Sequence, residues 1–250
     1  MRGPVHTPVP DYVFDCRGKP PELNDDYEEL VNPVNCCLLG QSDKREANAN
    51  WTKAIATRDG WTFVIPNTTE TTSYGYLFNE DITTRDEAKQ NFLEMFGVES
   101  DDFLPFKKYV AKKAFDGRVI KNGNKLFFLE PLEGAALATY LNLAIKAYRW
   151  IVLNDREWNP ENINQSLRNW VKESEKFVLW HYSTGSKFNT KFWDYATELA
   201  KTVECKKFDF MLEETVNTDL FYLRSPQGRQ NTYGAWSRES LKNWYDNAIV

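Results

Sequence analysis

The stretch NKLFFLEPLEGAALATYLNLAIKAYRW (residues 124–150) places a carboxylate, Glu133, directly before a run of small residues and then an apolar repeat. Leu137, Tyr140, Leu141, Ala144, Ile145, Tyr148 and Val152 recur at helical spacing, which predicts one apolar face of a helix several turns long. Pro131 fixes the approach to that helix, because its ring locks φ near about −65°. Gly134, Ala135 and Ala136 leave the first helical N–H groups sterically open, and those groups have no partner inside the helix. A helix start of this kind attracts anions. The same residues also fit ordinary helix-start chemistry, in which an acid offsets the dipole by about 0.3–1 kcal/mol. The dipole favours the ionised carboxylate, so a proton-donor role for Glu133 would need an apolar pocket. Spacing alone leaves both readings open.

Outward from this stretch, the rest of the chain has readable punctuation. YVFD (residues 12–15) reads as a short strand entering a turn at Cys16-Arg17-Gly18. PPELNDDYEELVNPVN reads as a Pro- and acid-rich loop. WTFVIP (residues 61–66) and SYGYLFN (residues 73–79) are rich in aromatic and β-branched residues and predict two strands joined by a Thr-rich loop. Thr84 with Glu87 makes a capping box before an apolar face of Ala88, Phe92, Met95 and Phe96. Asn159-Pro160 starts a helix whose inner face is Ile163, Leu167, Trp170, Val171 and Val178. Asn189 is the expected cap of another, with Phe192, Ala196, Leu199 and Val203 inside, and Ser237 the cap of a last one, with Leu241, Trp244, Tyr245 and Ala248. The expectation is an α+β chain. Residues 1–130 form a mixed strand and helix region, residues 131–250 a helical region, and the two share one core.

Composition excludes several classes. The chain has 250 residues, 42% of them hydrophobic, enough for a sizeable core. Its net charge is −5 and it has no long basic run, which argues against a nucleic-acid surface. No apolar stretch approaches the ~20 residues needed to span a bilayer. The four cysteines have no metal-ligand spacing, and the adjacent pair Cys36-Cys37 suits neither a disulfide framework nor zinc. This predicts a cytoplasmic, reducing compartment and no metal. Only two histidines exist, His6 and His181, and there is no G-x-S-x-G segment, so a serine-hydrolase triad has little to build on. His181 near a helix end is expected to serve structure, with the dipole favouring its protonated form. No G-x-G occurs, so the chain carries no dinucleotide fingerprint or P-loop of its own.

Several segments, taken together, resemble the flavin-dependent halogenases of the tryptophan-halogenase family. FLEPLEG (residues 128–134) is similar to the family's F-L-E-P-L-E-S segment, and GWTFVIP (residues 60–66) to its G-W-x-W-x-I-P segment. GYLFNEDITTRDEA (residues 75–88) resembles G-Y-V-Y-S-S and the helix start after it. HYSTGSKFNTKFW (residues 181–193) looks like the H-Y…F-W segment, and YVFDCRG (residues 12–18) like the I-D-A-T-G strand and turn. These matches fall in family order from residue 12 to residue 193.

The resemblance implies the substrate-side part of a flavin-monooxygenase-like fold, with a mixed sheet followed by a mainly helical C-terminal region. It implies FAD, reduced by a separate flavin reductase, and a halide ion. Together with oxygen these give hypohalous acid, which reaches an electron-rich aromatic small molecule through a tunnel. Glu133 matches the family's catalytic glutamate. Gly123, Pro131, Gly134 and Ala135 match positions beside the flavin, and Ala136 a position beside the halide. Trp61, Phe63, Ile65 and Pro66 match the tunnel-side motif. The family's G-x-G-x-x-G segment and the region of its catalytic lysine have no counterpart before Tyr12. The implied protein is therefore a C-terminal portion, inactive until an upstream flavin-binding chain or segment is supplied. Phe63 stands where the family has a second tryptophan, Gly134 where it has a serine, and Lys125 and Phe127 are bulkier than the family's small-residue run. A non-catalytic interaction module of the same fold, or a flavin-dependent hydroxylase, are the alternatives.

Overall fold

The computed structural model describes residues 11–44, 49–184, 186–203, 206–216, 232–233 and 236–248. In chain order the elements are β1 (Val13–Asp15), β2 (Tyr27–Glu29), β3 (Cys36–Ser42), β4 (Lys53–Thr57), β5 (Gly60–Pro66), β6 (Thr72–Phe78), α1 (Arg85–Phe96), β7 (Asp102–Pro105), β8 (Tyr109–Ala111), β9 (Phe115–Asp116), β10 (Val119–Lys121), β11 (Phe127–Phe128), α2 (Ala135–Ile151), α3 (Pro160–Ser183), α4 (Lys191–Lys201), α5 (Lys206–Val216), a short hairpin and α6 (Arg238–Ala248). The class is α+β, with strands concentrated before residue 129 and helices after it. Two compact units interleave in sequence: Met1–Leu30 with Lys108–Glu173, and Val31–Lys107 with Ser174–Val250. No helix among the described residues is long and apolar enough to cross a membrane.

The first unit holds two small sheets. β1 pairs in parallel with β10, and β9 completes that sheet. β8 lies between β11 and β2, antiparallel to both. β2 falls inside the acid-rich stretch read as loop. It becomes a strand because Tyr27 is buried edge-on against Tyr109, with centroids 5.7 Å apart, a contact no local pattern announces. Its core joins Leu126 and Phe127 to Leu143 and Ala147 of α2 and to Ile163, Leu167 and Val171 of α3. The start of α3 is as expected: Asn159 Oδ1 accepts from the Asn162 amide at 3.0 Å. The inward face of α2 is not. Leu143 and Ala147 are buried, whereas Leu137, Leu141, Ile145, Tyr148 and Val152 are exposed. This helix is apolar on two sides, and periodicity does not say which side turns inward.

The second unit is built on a five-stranded antiparallel sheet of order β4-β5-β6-β3-β7. β5 and β6 are the two strands expected from their aromatic and β-branched content, paired from Gly60↔Phe78 to Pro66↔Thr72. α1 begins with the predicted capping box, Thr84 and Glu87 each satisfying the other's backbone. Beneath it Asp59 accepts from Tyr76 (2.5 Å), Asn91 (2.6 Å) and Thr83 (3.2 Å). Cys36 and Cys37, neighbours on β3, are both buried, and burial pushes their thiols up to about 11 and about 12. α4 is capped by Thr190, one residue later than expected. Trp193 donates its indole N–H to the Thr57 carbonyl at 2.7 Å, and Thr190 donates to the Arg58 carbonyl at 2.7 Å, fixing α4 to the β4–β5 turn. Ser237 accepts from the Ser240 amide, as a cap of α6 should.

His181 departs from expectation. Its ring is buried, 4.7 Å from Phe177 and 4.9 Å from Trp244, and Nδ1 lies 2.8 Å from the Phe177 carbonyl. A carbonyl can only accept, so Nδ1 carries the proton. Desolvation lowers the imidazole pKa to about 4, outweighing the helix dipole that was expected to favour the charged form.

Candidate functional site

The segment that carries Glu133 is assembled from the first unit upward. Lys108, just before β8, and Glu130 form an ion pair of 3.2 Å with side chains 1% and 0% exposed. Two charges leave water only when the pair is well made, because each costs several kcal/mol to desolvate. This pair fixes the start of the turn from inside. Pro131 comes next, on the surface, and Glu133 lies in a single 3-10 turn, Leu132–Gly134. The Gly134 amide closes that turn by donating to the Pro131 carbonyl at 3.1 Å.

Gly134 is the N-cap of α2 and is left-handed, with φ 60° and ψ 20°. That region favours glycine over L-residues with a Cβ by about 1–2 kcal/mol. A Cβ there would meet no atom within 4 Å, so the preference is conformational and not steric. No side chain caps α2, and its first turn holds no acid. The amides that open α2, from Ala135 and Ala136 onward, thus emerge from a cap without a side chain. Ala136 is half-buried and packs on the core of the unit. Donors of this kind suit an anion.

Gly123 lies in the same unit, at the head of a second 3-10 turn (Gly123–Lys125) that also starts left-handed, at φ 60°. Asn122 caps it, accepting from the Gly123 amide at 2.9 Å. Three tyrosine hydroxyls hold the backbone from Asn124 to Phe127. Tyr109 donates to the Asn124 carbonyl (2.5 Å), Tyr27 to the Lys125 carbonyl (3.0 Å), and the single O–H of Tyr140 of α2 is shared between the Phe127 carbonyl (3.0 Å) and Asn124 Oδ1 (2.9 Å). Burial raises the pKa of all three, that of Tyr140 to about 12, so they remain donors. Asn122 in turn donates to the Tyr140 carbonyl at 3.3 Å, joining the Gly123 turn to α2. Phe127, bulkier than the family's small-residue run, is fully buried against Tyr140 and Trp170.

Trp61, Phe63, Ile65 and Pro66 all lie on β5, in the second unit. Trp61 is buried and meets Phe63 edge-on at 6.3 Å, while Ile65 is exposed at the far end of the strand. Phe63 pairs with Gly75, and a Cβ on Gly75 would come within 2.1 Å of its ring. The glycine of the G-Y segment thus makes room for the aromatic residue that stands where the family has tryptophan. The indole N–H of Trp61 is buried with no hydrogen-bond partner among the described residues.

The structure thus gathers Gly123, Pro131, Glu133, Gly134, Ala135 and Ala136 in one unit and the β5 residues in the other. Sequence reading missed Lys108 and the three tyrosines. Lys108 and Glu130 are far apart in the chain, and no periodicity or motif links them.

The tryptophan halogenase family model matches residues 22–230. The chain belongs to the tryptophan halogenase family. The tryptophan 7-halogenase KtzQ of Kutzneria sp. (strain 744) is 23% identical over 233 residues, which is 84% of this chain and 43% of KtzQ. The tryptophan 7-halogenase RebH of Lentzea aerocolonigenes is 26% identical over 208 residues, 76% of this chain and 38% of RebH. Among solved structures, the lanthipeptide tryptophan 5-halogenase MibH superposes with a TM-score of 0.69 at 20% identity, covering 96% of this chain and 48% of MibH. Tar14, a tryptophan C-6 flavin-dependent halogenase from taromycin biosynthesis, gives 0.66 at 17% identity, covering 92% of this chain and 47% of Tar14. The fold is that of the flavin-dependent halogenases, and the chain spans less than half the length of these relatives.

Proposed function

We propose that this chain supplies the substrate-side half of a flavin-dependent halogenase acting on an electron-rich aromatic ring. The observation that carries this reading is the start of α2: a left-handed glycine cap without a side chain, directly after Glu133, anchored from below by a buried ion pair. A bound reduced flavin, with oxygen and halide, supplies hypohalous acid. The chain's own residues do the rest. The amides after Gly134 hold the halide, with Ala135 and Ala136 too small to cover them. Pro131 and the Gly123 turn border the flavin. Glu133 directs the electrophile toward the ring by accepting a hydrogen bond from it, a role for the ionised carboxylate. Trp61, Phe63, Ile65 and Pro66, on β5, correspond by sequence to the family's tunnel-side motif. A flavin-binding half and a flavin reductase are the remaining partners.

The test is a complemented reaction. The chain is mixed with the flavin-binding portion of a relative, FAD, a flavin reductase, chloride or bromide, and a panel of indoles and phenols, and products are read by mass. The expected result is a halogen-for-hydrogen mass change that Glu133→Gln reduces at least about 100-fold, the scale on which a positioned catalytic group acts. No halogenated product, in a mixture whose components are shown to associate, overturns the proposal. An oxygenated product assigns the chain to the hydroxylases.

A further inference from the structure

α2 carries two charges, Lys146 and Arg149. Lys146 stands in sequence between Leu143 and Ala147, which α2 buries. That position brings its half-buried side chain against α3, where Nζ donates to Ser166 Oγ at 2.7 Å. The face of Trp158, in the 3-10 turn Arg156–Trp158 that leads into α3, lies 4.4 Å from Nζ. These are the contacts of the amine among the described residues, and neither carries a negative charge. Asp155 and Glu157, beside the same turn, go to Arg149 instead, at 2.5 Å and 3.9 Å. Arg149 also shares the Trp158 face, 5.6 Å from the ring centroid, so a second cation lies close to the amine.

An ammonium in such a place gives up water without gaining a counterion. The aromatic face attracts it, but that attraction is divided with Arg149, and burial still lowers the pKa of Lys146. Other lysines are placed differently. Lys172 meets Glu28 at 3.0 Å and Lys201 meets Glu198 at 2.6 Å, with side chains 49% and 60% exposed. The bond from Lys146 to Ser166 uses an N–H of the amine. The lone pair of the neutral form therefore stays free while the nitrogen is held in place, as an activated nucleophile requires.

We propose that Lys146 is a modification site, an amine nucleophile that takes a short acyl group from an activated donor, an acyl phosphate or a thioester, and becomes a neutral amide. The lone pair of Nζ attacks the carbonyl carbon and forms the C–N bond. The bond from that carbon to the phosphate oxygen or thioester sulfur breaks, and the leaving group keeps the electron pair. The surplus proton of the nitrogen passes by way of the Ser166 hydroxyl to water. The product explains why the acyl class fits. An amide removes the charge that burial and Arg149 oppose, and it keeps one N–H for Ser166. An imine made with an aldehyde has no N–H to give when neutral and restores a cation when protonated. A short chain suits a nitrogen half covered by Ser166 and Trp158. After the reaction Arg149 is the only charge on α2. The proposal is independent of the halogenase reading and uses no residue of that site.

The test incubates the full chain at pH 8 with acetyl phosphate in one arm and S-acetylpantetheine in the other. Peptide mass spectrometry follows the acetyl occupancy of each lysine with time. Lys146 should be acetylated at least about tenfold faster than Lys172 and Lys201 with one donor or both, because a desolvated amine without a counterion is the more reactive. Accessibility alone gives the reverse order, since those two are exposed. The arm that reacts names the donor. Ser166→Ala, which removes the orienting hydroxyl, should slow Lys146 at least about threefold. Trp158→Leu, which uncovers the amine to water, should bring it down to the rate of Lys172. Circular dichroism checks that each variant is folded, and Ser166→Ala carries the test if Trp158→Leu is not. Two results overturn the proposal: Lys146 reacting no faster than Lys172 and Lys201 with both donors, or a rate advantage that folded Ser166→Ala retains in full.

Discussion

Each unit buries polar groups, and one such group in each makes an instructive pair. The first buries full charges, Lys108 against Glu130, directly beneath the turn that carries Glu133. The second buries a neutral imidazole, His181, among Phe177, Trp180 and Trp244. An ion pair holds its place by mutual attraction and fails badly if one partner goes. A neutral imidazole costs little until a proton is offered to it. The difference marks the first unit as the one that must hold an irregular, glycine-led turn in one geometry. Regular pairing already holds the β5 motif in the second, where each residue from Gly60 to Pro66 has a register partner.

The largest expected effect breaks the first side of this comparison. Lys108→Ala leaves Glu130 buried without its ion partner and should lower stability by about 3–5 kcal/mol in denaturant titration. The double variant Lys108→Met with Glu130→Leu should recover most of that loss. If Lys108→Ala costs no more than a surface substitution, the pair is not what anchors the turn. The next effect tests the second side. The folded imidazole of His181 has a pKa below its ordinary 6.5, so the unfolded chain takes up the proton first. Stability should be full above about pH 6.5, fall as pH drops toward about 4, and level off below. The total fall from this group is about 3 kcal/mol. Urea titrations across that window should show a flatter slope for His181→Gln; an unchanged slope would assign the acid sensitivity elsewhere. The smallest effect returns to the turn. Gly134→Ala meets no neighbour and should cost only the left-handed backbone, about 1–2 kcal/mol. A Gly134→Ala protein as stable as the parent would mean that α2 starts in another conformation.

The range of each signal decides how far the sequence could be read. β5 and β6, the Thr84 capping box and the Asn159-Pro160 helix start are written within a few residues and stand as expected. The very short strands β2, β8, β9, β10 and β11 are too brief to show a period and exist because of partners far along the chain. α2 shows the limit of periodicity most plainly: its strongest stripe is the exposed one, and the buried line of Leu143 and Ala147 is shorter and smaller. At the candidate site, FLEPLEG and the small residues after it could be read, because resemblance marks them. The buried lysine and the tyrosine hydroxyls under and beside them could not, since a lysine before a short strand looks like any surface lysine until the fold surrounds it.

The two adjacent thiols of β3 acquire a meaning in oxidative chemistry. A thiol is attacked by oxidants mainly as its thiolate, and where it can be reached. Cys36 and Cys37 are buried, with pKa values pushed up to about 11 and about 12, so both stay protonated and out of reach. Cys16, exposed in the turn after β1, has no such cover. In a chain proposed to work beside hypohalous acid, the sheet interior is thus protected by its own packing, and among the described cysteines oxidative damage would be recorded first at Cys16.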